Sequence, residues 1–414
     1  MDGNLCEPEG NTNQKNPAHS SAEVGVKIEA IEFEILESEP VEPEWRPLRT
    51  MREYPETHAT RFGHRLFDGE GVRLDPRPGY ACVMRIRRDA NIETCGIFGT
   101  SWGRDHLWWG ARTFKLQWAP DLVGADALNR EYLWQKMWMA RRYYHVQSTA
   151  PIALIDTLLW DLAGLRADFP VHKLLGGFRD RVPAYLTETG IPFEDTLKSA
   201  QLAVDEAYKG FKDHSMLGVE TNLELAKAIR DLVGDEMVLM ADPVQQYSVE
   251  DTIKVSRGLE DLNYLWIEEP LQEFDINGLK KLSDAVDLPV MALESIPGNP
   301  YLATLYLAAD AIDIVRQTGL GITGQMKLAN LAEMFGKNCH GGNPHVVAAI
   351  RNDDWWEVTA WDPTSKDRSL DQAFAGLIRD TTRVEDGYMY VPQTAGQGRE
   401  IDWAGIEERV VERI

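Results

Sequence analysis

Apolar and polar positions alternate from Val26 to Ile35, the pattern of a strand with one exposed face. Tyr80 to Ile86 reads as a second strand. A helix is predicted over Asn129 to Tyr144, and another over Pro151 to Ala167, where Ile155, Leu158, Leu159 and Leu162 recur at helical spacing. Strands followed by helices in the first 150 residues predict an α+β module. After Gly176-Gly177 the pattern becomes a strand and helix alternation, starting with Val182 to Leu186. Thr221-x-x-Glu224 has the capping-box form and is expected to open a helix from Leu223 to Val233, with Gly234 at its end. Ser248-x-x-Asp251 is expected to open the next helix in the same way. The alternation stops near Thr364, and Gly387 to Val391 is expected to form a last strand that rejoins the N-terminal module. Residues 1–24 are polar and aperiodic, which predicts a disordered tail.

Composition narrows the class. The chain has 414 residues, more than the roughly 250 of a typical eight-stranded β/α barrel, so a second module has room. Thirteen Trp and a hydrophobic fraction of 43% supply a large core. The formal charge of -23 excludes nucleic acid as an expected partner, because phosphate binding needs clustered Lys and Arg. An acidic exterior is read as a solubility device, and a bound cation can reverse the field locally. Cys6, Cys82, Cys95 and Cys339 lack zinc or redox spacing and read as reduced thiols. No apolar run is long enough to span a membrane and no signal peptide is visible, so a cytoplasmic location is expected.

Three acids close short apolar runs. Asp242 follows Val238 to Ala241, Glu268 follows Tyr264 to Ile267, and Glu294 follows Val290 to Leu293. Each lies 26 residues from the next, about one strand, one helix and their loops. A parallel barrel gathers such strand ends at one face, where barrel enzymes place their chemistry. Three converging carboxylates repel one another unless a cation sits among them. Oxygen-only donors select a hard ion, Mg²⁺ before zinc or copper.

The chain resembles the enolase superfamily, in particular its mandelate racemase-like acid-sugar dehydratases. The resemblance is carried by Ala150 to Asp156 with Leu159-Trp160-Asp161-Leu162, by Leu174-Leu175-Gly176-Gly177, by Trp266 to Pro270 and by Gly321-Ile322-Thr323-Gly324. It implies an α/β fold, a modified TIM barrel of the (β/α)₇β type over 151–365. It also implies an N-terminal α+β capping domain over 25–150 and a segment over 366–414 that returns to the cap. Asp242, Glu268 and Glu294 are then the ligands of one Mg²⁺ per chain, and Glu269 points elsewhere. Lys212 and His214 match a pair of bases on the second strand, both expected to have lowered pKa values. His340 matches the histidine of the seventh strand, the acid that would protonate a departing hydroxyl, with His345 as its rival. Glu357 and Arg316 are expected to bind substrate. The family's aspartate on the sixth strand, the usual partner of that histidine, is replaced here by a segment in which Thr318 stands near its place. The activity implied is dehydration of a sugar acid to a 2-keto-3-deoxy acid. Racemisation, epimerisation or cycloisomerisation through the same enolisation is the alternative, and a non-catalytic relative of the fold is a third. A small-molecule sugar acid is the expected partner, with the chain in a homo-oligomer.

Overall fold

The computed structural model describes residues 25–40, 44–45, 72–73, 77–88, 92–144, 150–188, 193–215, 217–294, 296, 300–317, 319–359 and 373–414. The expected tail and Thr318 fall outside these residues.

Eight parallel strands form the barrel: Arg181–Thr187, Gly210–Asp213, Val238–Ala241, Tyr264–Glu268, Val290–Ala292, Ile314–Arg316, Asn338–His340 and Trp356–Thr359. Among the described residues seven helices alternate with them, from Phe193–Asp205 to the short Pro344–Val347, which gives the (β/α)₇β form. Parallel ladders join each strand to the next from the first to the seventh, and the eighth pairs with the first. Inside the barrel, Tyr185, Met240, Trp266, Met291 and Ile314 form an apolar floor. Between strands and helices a larger core runs from Val171 to Ile350.

The N-terminal module is a four-stranded antiparallel sheet of Ala30–Glu37, Tyr80–Arg87, Glu93–Ser101 and the C-terminal Val410–Arg413. Helices Arg104–Gln117 and Arg130–Tyr144 accompany it. Of the tryptophans between Trp102 and Trp118, Trp118 is buried in this core and Trp109 is exposed. Helix Ala150–Ala167 carries no amphipathic stripe because it is covered on several sides, with Ile155, Leu158, Leu159 and Leu162 buried in the module's core. Its Asp156 accepts bonds from the Thr323 amide (2.7 Å) and hydroxyl (2.6 Å) at the start of helix Gly321–Met334. Two of the sequence motifs are thus the two halves of one contact. Gly321 is required there, since its φ is +66° and a Cβ would lie 2.7 Å from Asp156 Oδ2.

Two local expectations change. Tyr388–Tyr390 pairs with Arg181 to Pro183 of the first barrel strand, not with the N-terminal sheet. Those three residues precede the parallel ladders, which begin at Ala184 and Tyr185, so their edge is open to a new strand. The helix expected from Leu223 begins at Val219 behind Gly218, and no side chain caps it. Asn222 instead reaches back to the Leu217 amide (2.7 Å). Ser248 does cap its helix, accepting from the Asp251 amide, and Gly234 ends the preceding one at φ +77°.

Candidate active site

The three spaced acids lie at the C-terminal ends of barrel strands three, four and five, and two cations tie them together. Lys212 leaves the second strand and places Nζ 2.7 Å from Glu268 Oε2, 2.8 Å from Glu357 Oε1 and 3.5 Å from Asp242 Oδ2. Arg316 closes the sixth strand. Its Nε lies 2.8 Å from Glu294 Oε2 and 3.1 Å from Glu268 Oε1, and Nη2 lies 2.7 Å from Glu357 Oε2. Strand alternation turns Lys212 and His214 inward while Asp213 bonds the Ser215 amide. His214 Nε2 sits 3.0 Å from Asp242 Oδ2, Nδ1 lies 2.9 Å from Thr187 Oγ1, and the backbone amide donates to Glu188.

The charges at Lys212 and His214 run opposite to the lowered pKa values expected. Burial alone would favour the neutral amine, but Glu268, Glu357 and Asp242 outweigh it and hold Lys212 well above its ordinary range. Burial also opposes the His214 cation, and Asp242 overcomes it, raising the imidazole to about 9. Despite burial, His214 and Lys212 in turn draw Asp242 down to about 2. Glu357 is held well below the usual carboxylate range, against its burial, by Lys212 and Arg316. Glu269 turns away as alternation predicts and bonds Gln245 (2.8 Å); burial and then Asp242 push it up to about 8.

His340 ends the seventh strand opposite Arg316 and is buried. Its Nδ1 lies 3.0 Å from Asp353 Oδ1, and its Nε2 lies 2.8 Å from the Tyr185 hydroxyl. An acidic partner therefore exists, and it comes from the connection between strands seven and eight. His345 is not at this site: it belongs to helix Pro344–Val347 and stacks on buried His172, ring centroids 5.6 Å apart. Sequence reasoning also passed over Glu273. Its carboxylate accepts from the backbone amides of Leu293, of Glu294 (2.8 Å) and of Ile296 (3.1 Å), so it shapes the loop that presents Glu294. Neither Asp353 nor Glu273 falls in the 26-residue spacing that marks the other acids.

The chemistry of the donors suits a hard divalent cation, although among the described residues no three acids are drawn together as a ready metal cluster and Lys212 and Arg316 hold these acids instead. Asp242, Glu268 and Glu294 offer only oxygen, and Glu268 Oε1, though near Arg316, accepts no well-directed hydrogen bond.

An eight-stranded parallel barrel with acids at three successive strand ends and a cap that includes the C-terminus defines an enolase-type protein. The chain belongs to the enolase superfamily, in its mandelate racemase-like subgroup: residues 195–405 match the enolase C-terminal domain-like family, and 99–176 match the mandelate racemase / muconate lactonizing enzyme N-terminal domain. It is 29% identical to an arabinonate dehydratase of Saccharolobus solfataricus over 70% of this chain and 80% of that one. Against an L-Ala-D/L-Glu epimerase of Clostridium acetobutylicum it is 30% identical, over 50% of this chain and 60% of that one. The crystal structure of a D-glucarate dehydratase from Agrobacterium tumefaciens, complexed with magnesium, superposes with a TM-score of 0.74 at 27% identity, covering 94% of this chain and all of that one.

Proposed function

We propose that the protein is a Mg²⁺-dependent dehydratase of a sugar acid, which removes the proton α to the carboxylate and expels the β-hydroxyl to give a 2-keto-3-deoxy acid. The observation that carries this reading is the convergence of Asp242, Glu268 and Glu294 with Lys212 and His214 at one barrel mouth. Asp242, Glu268 and Glu294 would hold one Mg²⁺, which supplies electrostatic stabilisation for the charge that develops on the substrate carboxylate.

A base must be neutral and reachable. Lys212 is 1% exposed and bonded among three carboxylates, whereas the His214 side chain is 21% exposed and meets only Asp242 among them. We therefore assign the α-proton to His214 and keep Lys212 as a fixed positive charge facing the developing oxyanion. Added positive charge near Asp242 weakens its hold on the imidazolium, which brings His214 toward its neutral form. Arg316 and Glu357 orient the substrate's polar groups. Loss of the hydroxyl needs a proton donor. His340, whose Nδ1 meets Asp353 and whose Nε2 meets the Tyr185 hydroxyl, is the group we assign as that donor.

A panel of sugar acids with Mg²⁺, read by a 2-keto acid assay, tests the proposal. Product from at least one aldonic or aldaric acid supports it. Change of configuration at the α-carbon without keto product would make the protein a racemase or epimerase, the direction in which the epimerase relative points. A carboxylate-containing ring closed or opened without loss of water would make it a cycloisomerase.

A further inference from the structure

We infer that Arg316 competes with a divalent cation for Glu268 and Glu294, and so sets how tightly the barrel mouth holds metal. The inference rests on the metal site proposed above. The guanidinium is not a loose surface group: its side chain is 11% exposed and grips acids of strands four, five and eight at once. The fold makes room for it. Gly341, at φ +80°, follows His340, and a Cβ there would lie 2.6 Å from Arg316 Nη1. Nη1 itself is buried without a hydrogen-bond partner, so the packing holds a charged fork in place at the cost of one unmet donor.

Guanidinium stays charged at any accessible pH, so this competition does not relax by loss of a proton. A cation that draws on Glu268 Oε1 and Glu294 Oε2 meets the positive Nε beside the same two oxygens. Either the guanidinium retreats toward Glu357, which already holds Nη2 at 2.7 Å, or the two positive charges share the acids at a Coulombic cost. Both routes weaken binding relative to a site with the three acids alone. Glu357 is then the retreat that keeps the competition tolerable.

The test is a titration of the full chain with MgCl₂ alone, after dialysis against a chelator, by calorimetry and by thermal shift, with circular dichroism to check the fold. Arg316→Gln is expected to tighten Mg²⁺ binding about tenfold, the size of one charge removed close to the ion. Arg316→Lys keeps the charge and is expected to stay within about threefold of the wild type. Glu357→Gln removes the retreat and is expected to weaken binding; this variant carries the test if Arg316→Gln does not fold. Wild-type binding that Arg316→Gln leaves equal or makes weaker would overturn the inference while leaving the metal site standing, and unchanged or tighter binding by Glu357→Gln would do the same. No Mg²⁺ binding by any of these proteins would remove the metal site and the inference together.

Discussion

Lys212 and His214 stand two residues apart on one strand yet differ in what holds them, and the proposed division of their work rests on that difference. His214→Asn keeps a hydrogen-bonding side chain but no base. It is expected to lower α-proton exchange by on the order of 10² to 10⁴ while the Mg²⁺ thermal shift persists. Lys212→Ala is expected to retain measurable exchange, and the reverse pattern would make Lys212 the base. The same scale holds the parts the sequence could not show. The placement of Asp242, Glu268 and Glu294 at successive strand ends was legible because each ends an apolar run at a fixed spacing. Asp353 was not, since its role depends on a loop that brings it to His340 from outside any strand. Asp353→Asn is expected to destabilise the protein by about 1.5–3 kcal/mol, the range for hydrogen bonds to charged groups, measured by urea unfolding. No change in the midpoint would show that the pair contributes nothing to the barrel seam.

At the level of elements, the joint between helix Ala150–Ala167 and helix Gly321–Met334 is the most demanding contact outside the site. Asp156 is fully buried, and burial pushes its carboxyl up to about 7 in spite of the bonds from Thr323. A carboxyl whose folded pKa lies above its unfolded value near 3.9 adds stability below the unfolded value, and that stability is lost as pH rises through the folded one. Unfolding midpoints measured from pH 4 to 8 are therefore expected to fall for this group. In Asp156→Asn that component of the slope disappears, and an unchanged slope would contradict the assignment. Legibility at this scale followed local chemistry. Ser248 caps its helix as its pattern predicts because its capping partner lies three residues away. The Thr221 pattern does not open its helix because Gly218, three residues earlier, stands at the cap at φ 82°, and Asn222 holds the turn through Leu217 and Ser215. Tyr388–Tyr390 was readable as a strand, but its partner was not, since an open edge on Arg181 to Pro183 exists only once the barrel ladders are set.

Across the whole molecule, charge connects the pieces. The chain carries a formal -23, and its barrel mouth concentrates four acids around Lys212 and Arg316. No helix among the described residues is long and apolar enough to cross a membrane. A cation bound by the folded mouth and not by the unfolded chain raises stability by mass action, about 2.7 kcal/mol at a hundredfold excess over its dissociation constant. Wild-type protein is accordingly expected to melt at higher temperature with Mg²⁺, and Glu268→Gln to lose most of that response. Equal shifts in the two proteins would place any Mg²⁺ elsewhere. If these acids and bases together enolise a sugar acid, as proposed, deuterium from the solvent must enter the α-position. The protein is incubated in D₂O with each substrate candidate, with Mg²⁺ or with a chelator, and the α-position is followed by NMR. Exchange or turnover with at least one acid, dependent on Mg²⁺ and abolished in Glu268→Gln, is the predicted result. Exchange that persists in the chelator and in Glu268→Gln would show that enolisation does not depend on a cation held by these acids.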